Sequence, residues 1–257
     1  MLLTIDSGNS NVVFGLYDLA QQTVIKAFRT VNEPTRTADE YAVWLNSLMM
    51  LNGFELNQIE AAVIGSVVPE ASFNIISLCR RYLNCEPVVV GDKRTKLNLN
   101  ILIDRPEQVG ADRLVNAVAG FERYGGSLII IDFGTATTFD IVNKDGDYAG
   151  GVIAPGVRLS LRSLYMAAAK LPLVEIAKPE NYIGKDTESA MQSGVYWGYM
   201  SMVEGMVARI IQEFGSPMQV IATGGLSELF ADHTDKINVT DRTLTLRGLA
   251  QIYQLNA

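Results

Sequence analysis

The chain has one histidine and two cysteines in 257 residues, and these scarcities exclude several chemistries. Cys79 and Cys85 form no CxxC pair and no Cys/His cluster, so neither a zinc site nor a disulfide framework is expected. On or beside one helix, the two would meet only with distortion, and they read as reduced thiols of a cytoplasmic protein. His233 lies in an acidic stretch with Asp232 and Asp235 and reads as a solvated side chain rather than a catalyst. No apolar run reaches the ~18 residues that a membrane span needs. The N-terminus enters a strand directly, without a basic segment or a small-residue cleavage site, so no signal peptide is expected. Positive charge is also short: 21 Lys and Arg against 28 Asp and Glu leave a net charge of −7. That balance argues against nucleic acid or an anionic membrane as the main partner. An anionic nucleotide remains compatible with it, because phosphates need only local donors and a cation.

Two familiar nucleotide motifs are missing as well. A Walker A loop fails because Gly184-Lys185 is followed by Asp186, and Pro179 stands where the first glycine belongs. Asp132-Phe133-Gly134 has the letters of the protein-kinase metal motif, but no HRD loop and no glycine-rich loop before a VAIK-type strand accompany it. No Gly/Ser linker or low-complexity tract separates the parts of the chain, so they are expected to pack together.

What is present is a phrase used twice. Ile5-Asp6-Ser7-Gly8-Asn9-Ser10-Asn11-Val12-Val13 near the start is echoed by Ile131-Asp132-Phe133-Gly134-Thr135-Ala136-Thr137-Thr138 at mid-chain. Each copy is an apolar strand ending in Asp, an x-Gly step, small hydroxyl or amide residues, and a second β-branched strand. Glycine and small polar residues let backbone N–H groups approach a phosphate closely. Either copy alone is also an ordinary hairpin turn; the pair points to a phosphate-handling enzyme of two similar lobes.

A hydrophobic share of 48% with 19% charged residues suits a soluble globular protein of one large or two small domains. Period-two patterning predicts strands over Leu2–Asp6, Asn11–Tyr17 and Val24–Arg29, and helical spacing predicts a helix from Thr37 to Met50 with a Thr37/Glu40 capping box. Strand Ala61–Ser66, helix Pro69–Leu83 and strand Pro87–Val90 follow. Residues 91–106 read as the crossover, placing one lobe at 1–108 and the second at 109–257. The second lobe is expected to begin with helix Ala111–Arg123 and to continue through strands Ser127–Asp132, Thr137–Val142 and Tyr148–Ile153. A helix from about Val157, an exposed loop Lys170–Lys185, a long helix Thr187–Phe214, strand Met218–Ala222 and a closing helix from about Thr243 complete it. Met and aromatic residues over Tyr196–Met206 cover more of their helix than one stripe, which fits core or a subunit interface.

Three further segments have both a plain and a functional reading. Gly110-Ala111-Asp112-Arg113 opens a helix, where an acid in the first turn is favourable in itself. The same pair also suits a base beside an anion-gripping guanidinium. Gly150–Gly156 and Thr223-Gly224-Gly225-Leu226 are tight turns that also allow a ligand close to the backbone.

Taken together, these residues resemble the acetate and sugar kinase/Hsp70/actin superfamily, and within it the chain is similar to type III pantothenate kinases. The family's Asp-x-Gly-Asn-[Thr/Ser] appears at Asp6–Ser10, its Gly-Ala-Asp-Arg at Gly110–Arg113, and its Asp-[Phe/Leu]-Gly-Thr-Ala-Thr-Thr at Asp132–Thr138. Its Gly-Gly-x-Ile-x-Pro-Gly appears at Gly150–Gly156 and its Thr-x-x-[Ala/Ser]-x-x-x-Gly at Thr187–Gly194. The resemblance implies two actin-like (ribonuclease H-like) lobes, each a mixed sheet flanked by helices, with a nucleotide cleft between them. It implies ATP-dependent phosphorylation of pantothenate to 4'-phosphopantothenate, the first step of coenzyme A biosynthesis, in a cytoplasmic homodimer. Asp6, Ser7, Gly8, Asn9, Ser10, Asn11, Val12 and Val13 would cradle ATP phosphates, with Asp6 also near magnesium. Gly110, Ala111, Asp112 and Arg113 would bind pantothenate, with Asp112 as general base. Asp132 would ligate a monovalent cation, potassium or ammonium, and Thr135 would touch ATP. Thr187 would reach the substrate from its own or the neighbouring subunit. One position departs from the pattern: Ile103 stands where many relatives carry a substrate-contacting Tyr. That change keeps open a kinase for another small alcohol. A non-catalytic nucleotide-binding accessory protein on the same fold is the rival of another class, opposed by the intact Asp6, Asp112 and Asp132.

Overall fold

In a computed structural model of the protein, which describes residues 1–168 and 170–257, the chain divides into two compact units. One comprises Met1–Tyr124 together with Thr243–Ala257; the other is Gly125–Arg242. No helix among the described residues is long and apolar enough to cross a membrane.

The first unit is built on β1 (Leu2–Ser7), β2 (Asn11–Asp18), β3 (Thr23–Val31), β4 (Ala61–Ser66) and β5 (Val88–Val89), in spatial order β3-β2-β1-β4-β5. The first three strands form an antiparallel meander, and β4 then pairs parallel with β1. Central β1 is buried on both faces, with Leu2, Leu3, Thr4 and Ile5 all inaccessible. Leu3 and Ile5 face α1 (Ala38–Leu51) and α2 (Pro69–Tyr82), meeting Tyr41, Leu45, Ile75 and Leu78. Leu2 faces the other way, in the cluster that holds Val63, Val115, Leu249 and Ile252 from β4, α3 (Ala111–Tyr124) and α7 (Leu244–Asn256). The expected capping box is formed: Glu40 N–H donates to Thr37 Oγ1 and Thr37 N–H to the Glu40 carboxylate.

Helix α3 therefore packs with the first sheet, although the sequence reading opens the second lobe with it. The cause is sterically specific. Gly248 of α7 admits α3 so closely that a Cβ there would lie 2.4 Å from the Val115 carbonyl oxygen. Gly65 of β4 leaves the space that Leu249 and Val115 fill. The division of the chain falls after Tyr124, and the closing helix belongs to the first unit.

The second unit repeats the wiring. Strands β6 (Leu128–Phe133), β7 (Ala136–Val142), β8 (Tyr148–Pro155), β9 (Gln219–Gly224) and β10 (Val239–Thr240) run in the order β10-β9-β6-β7-β8. Again three antiparallel strands are followed by a parallel neighbour of the first. Ile129, Ile131 and Phe139 pack against Tyr196, Tyr199, Met200 and Val203 of the 28-residue α5 (Thr187–Phe214) and against Phe230 of α6 (Ser227–Ala231). The Met and aromatic residues of α5 are thus mostly core. Helix α4 (Val157–Ala167) lies beside α5.

The cysteines are placed differently from expectation. The chain reverses after α2 through Asn84, at φ 51°, so that Cys85 N–H donates to the Cys79 carbonyl at 3.2 Å and the two thiols hydrogen-bond. No distortion of the helix is required; both remain thiols, and the bond together with burial holds the Cys79 thiol well above the usual range.

Candidate functional site

In an open α/β sheet, ligands bind beyond the carboxyl ends of the strands where the order reverses. Asp6 and Asp132 occupy that position in their respective sheets. Asp6, half-buried, sits at the end of β1 between Val13 of β2 and Gly65 of β4. The turn after it closes with Gly8 N–H donating to Asn11 O at 3.0 Å, leaving Asn9, Ser10 and Asn11 exposed. Ser7 is buried, and its carbonyl accepts from Val67 N–H at 3.1 Å.

Asp112 stands at the start of α3 in the same unit. A Cβ on Gly110 would lie 3.5 Å from Val67 Cγ1, the residue bonded to Ser7, so the Gly110–Arg113 turn and the Asp6 turn share one rim. The same Cβ would fall 2.5 Å from Asp112 Oδ1, so glycine is what gives this carboxylate its room. Arg113 N–H donates to Asp112 Oδ1 at 2.8 Å. Burial pushes the Asp112 carboxyl above the usual range, opposed by that N–H and by the Arg113 charge. The result is a carboxylate held in place yet more basic than a solvated one, the property a general base needs. Ile103 is half-buried in the bend that precedes Pro106, in the same unit.

The second unit carries the other half of the repeat. Asp132 lies between Thr138 of β7 and Thr223 of β9. Gly134 N–H donates to Ala136 O at 3.1 Å, and Gly156 N–H to Thr135 O at 3.1 Å; Thr135 itself is exposed. Two glycines make this packing possible. A Cβ on Gly224, at φ +89°, would lie 2.4 Å from Asp132 Oδ1, and one on Gly156 would lie 2.3 Å from Thr135 O and 2.7 Å from Gly134 O. One carboxylate among backbone oxygens suits a hard cation. No cluster of three His, Cys, Asp or Glu that would hold a metal ion occurs among the described residues.

Thr187 is the first residue of α5, exposed. Asp186 caps the helix, accepting from Ser189 N–H at 2.8 Å, and Gly184 presses against Ala190 so closely that a Cβ would lie 2.2 Å from its nitrogen. Thr187 also lines an apolar cavity of about 740 Å³ between α4 and α5, with Leu164, Met191, Val195 and Met202. Tyr199 borders the same cavity; its hydroxyl hydrogen-bonds Thr137 Oγ1 and accepts from Val157 N–H, and burial raises its pKa, with the Asp132 charge adding to the effect. Sequence reasoning grouped Tyr199 only with core or interface residues. Its spacing gives no hint of its polar end, because that contact comes from a strand 62 residues away. His233 is exposed, its ring bonded to Leu229 O at 3.2 Å.

Two sheets of like wiring, each ending its central strand in an Asp-x-Gly turn, define the class: the two-lobed actin and sugar kinase fold. Solved structures agree on the fold. A conserved putative Baf family transcriptional activator from Campylobacter jejuni superposes with a TM-score of 0.61 at 19% identity, over 99% of this chain and 98% of that one. A putative 2-dehydro-3-deoxygalactonokinase from Sinorhizobium meliloti gives 0.60 at 13% identity, over 99% and 96%. A family model described as type III pantothenate kinase matches residues 2–209. The type III pantothenate kinase of Paramagnetospirillum magneticum is 56% identical over 257 residues, 100% of this chain and 98% of the relative. The chain belongs to the type III pantothenate kinase family, enzymes that phosphorylate pantothenate with ATP on the way to coenzyme A.

Proposed function

We propose that the chain performs this reaction with Asp112 as general base and the Asp6–Val13 turn as the phosphate cradle. The observation that carries the assignment is the shared rim: Gly110 and Ser7 meet at Val67, so base and cradle are held by one packing unit. Asp112 accepts the proton of the primary hydroxyl as its oxygen attacks the γ-phosphorus, and the P–O bond to ADP breaks. Arg113 and the helix start orient the pantothenate carboxylate. Asp6 would hold magnesium, and Asp132 a monovalent cation such as potassium or ammonium; when bound, these ions offset charge on the transferring phosphoryl group. Thr135 is assigned to ATP and Thr187 to pantothenate.

The finer setting is a homodimer in the cytoplasm. Exposed Leu159, Leu164, Tyr165 and Met166 of α4 continue the apolar cavity that holds Thr187, which supports a second copy covering this face. Two free thiols and the use of ATP suit a reducing compartment.

The reading is tested by following ATP consumption with and without pantothenate, in potassium and in sodium. Pantothenate-dependent turnover favoured by potassium is expected. Turnover that ignores pantothenate in both salts would overturn the assignment.

A further inference from the structure

The residue that shapes the Asp6 turn lies outside it. Asn32 directly follows β3 and is 8% exposed. Its backbone N–H donates to Ser10 O at 3.0 Å, and its Nδ2 donates to Gly8 O at 2.6 Å and lies 3.4 Å from Ser7 Oγ. Only an NH₂ group can serve the Gly8 carbonyl, which fixes the amide orientation. Its Oδ1 is thereby left buried with no hydrogen-bond partner among the described residues.

These bonds have a directional consequence. A trans peptide sets its C=O and N–H on opposite edges of one plane. Anchoring Gly8 O therefore fixes the Asn9 N–H, and anchoring Ser10 O fixes the Asn11 N–H. Those two amides belong to the exposed residues of the turn. Backbone N–H groups aimed in advance are what such a turn offers a phosphate, since no reorientation is then needed during the reaction.

We propose that the Asn32 side chain is a positioning element for phosphoryl transfer, setting through Gly8 O the Asn9 amide that meets the nucleotide's phosphates, while the backbone bond to Ser10 O is one any residue there could make; this rests on the reading of Asp6–Val13 as the phosphate cradle. A residue that acts this way shifts the ATP terms and leaves pantothenate recognition alone. The isosteric Asn32→Asp loses the donor and places a negative charge beside the cradle; Asn32→Ala loses the whole amide without adding charge.

The test compares the full-length wild type, Asn32→Ala and Asn32→Asp in steady-state kinetics with each substrate varied. Both variants are expected to raise KM for ATP and to lower kcat about 10–100-fold, the scale of a small misplacement of reacting groups. Asn32→Asp should be the worse, with KM for pantothenate unchanged. Amide hydrogen exchange of residues 7–11 in the nucleotide-free variants should quicken, a readout independent of turnover. If one variant does not fold, the other carries the same test. Normal kcat and KM for ATP in a folded variant would overturn the proposal. Asp6→Asn separates the layers: if it abolishes turnover while the Asn32 variants are silent, only the role of Asn32 falls. If Asp6→Asn is silent too, the cradle reading falls with it.

Discussion

In the proposed mechanism Asp112 concentrates the chemistry in one side chain, and its burial has two consequences of opposite sign. A base acts as the carboxylate, so kcat/KM should rise with pH through a value above that of a solvated Asp. Asp112→Asn should lower kcat by about 10²–10⁴-fold and remove that acidic limb. Near-normal turnover would remove Asp112 from the role. For stability, a carboxyl whose pKa is raised on folding binds its proton more tightly in the folded state. Its contribution is therefore present at low pH and lost as pH rises through the window between the unfolded and folded values. Asp112→Asn should accordingly unfold at a higher temperature than the wild type at neutral pH. Ile103 offers a gain rather than a loss. Ile103→Tyr should lower KM for pantothenate by a few-fold, the worth of one net hydrogen bond of about 1 kcal/mol. An unchanged KM would show that other groups already serve the substrate there.

At the scale of elements, the repeat was legible because it is local. An apolar strand, an acid, a glycine and small polar residues spell out each turn within ten positions. The capping box at Thr37 and the bounds of the strand Ala61–Ser66 and of α5 were readable for the same reason. What was not legible depends on pairs distant in sequence. Gly248 against Val115 assigns α3 to the first sheet, Asn32 reaches back to Gly8, and Gly224 presses on Asp132. Glycine announces a tight approach but not its partner: Thr223–Leu226 reads as a turn that allows a ligand close to the backbone, and a Cβ on Gly224 would meet the Asp132 carboxylate first. Gly224→Ala places a side chain at φ +89° and against that carboxylate. We expect a loss of about 1–3 kcal/mol by denaturant unfolding, the usual cost of a strained residue, together with weaker dependence of turnover on potassium. A variant as stable and as potassium-dependent as the wild type would show that β9 yields there.

For the whole molecule, the apolar α4–α5 face is where the proposed second copy would sit. In light scattering the wild type should have twice the mass of the chain, and Leu164→Glu with Met202→Glu should halve it. Loss of turnover on dissociation would support Thr187 reaching substrate across the interface, whereas an active monomer would confine the site to one copy. The composition of the first unit has a different outcome, during synthesis. Its sheet and α3 emerge from the ribosome early, yet α7, which covers Leu2, Val63 and Val115, is encoded after the entire second unit. Gly125–Arg242 is continuous and can fold as it emerges, while the first unit keeps the Leu2, Val63 and Val115 side of its sheet uncovered until the chain beyond Arg242 is made.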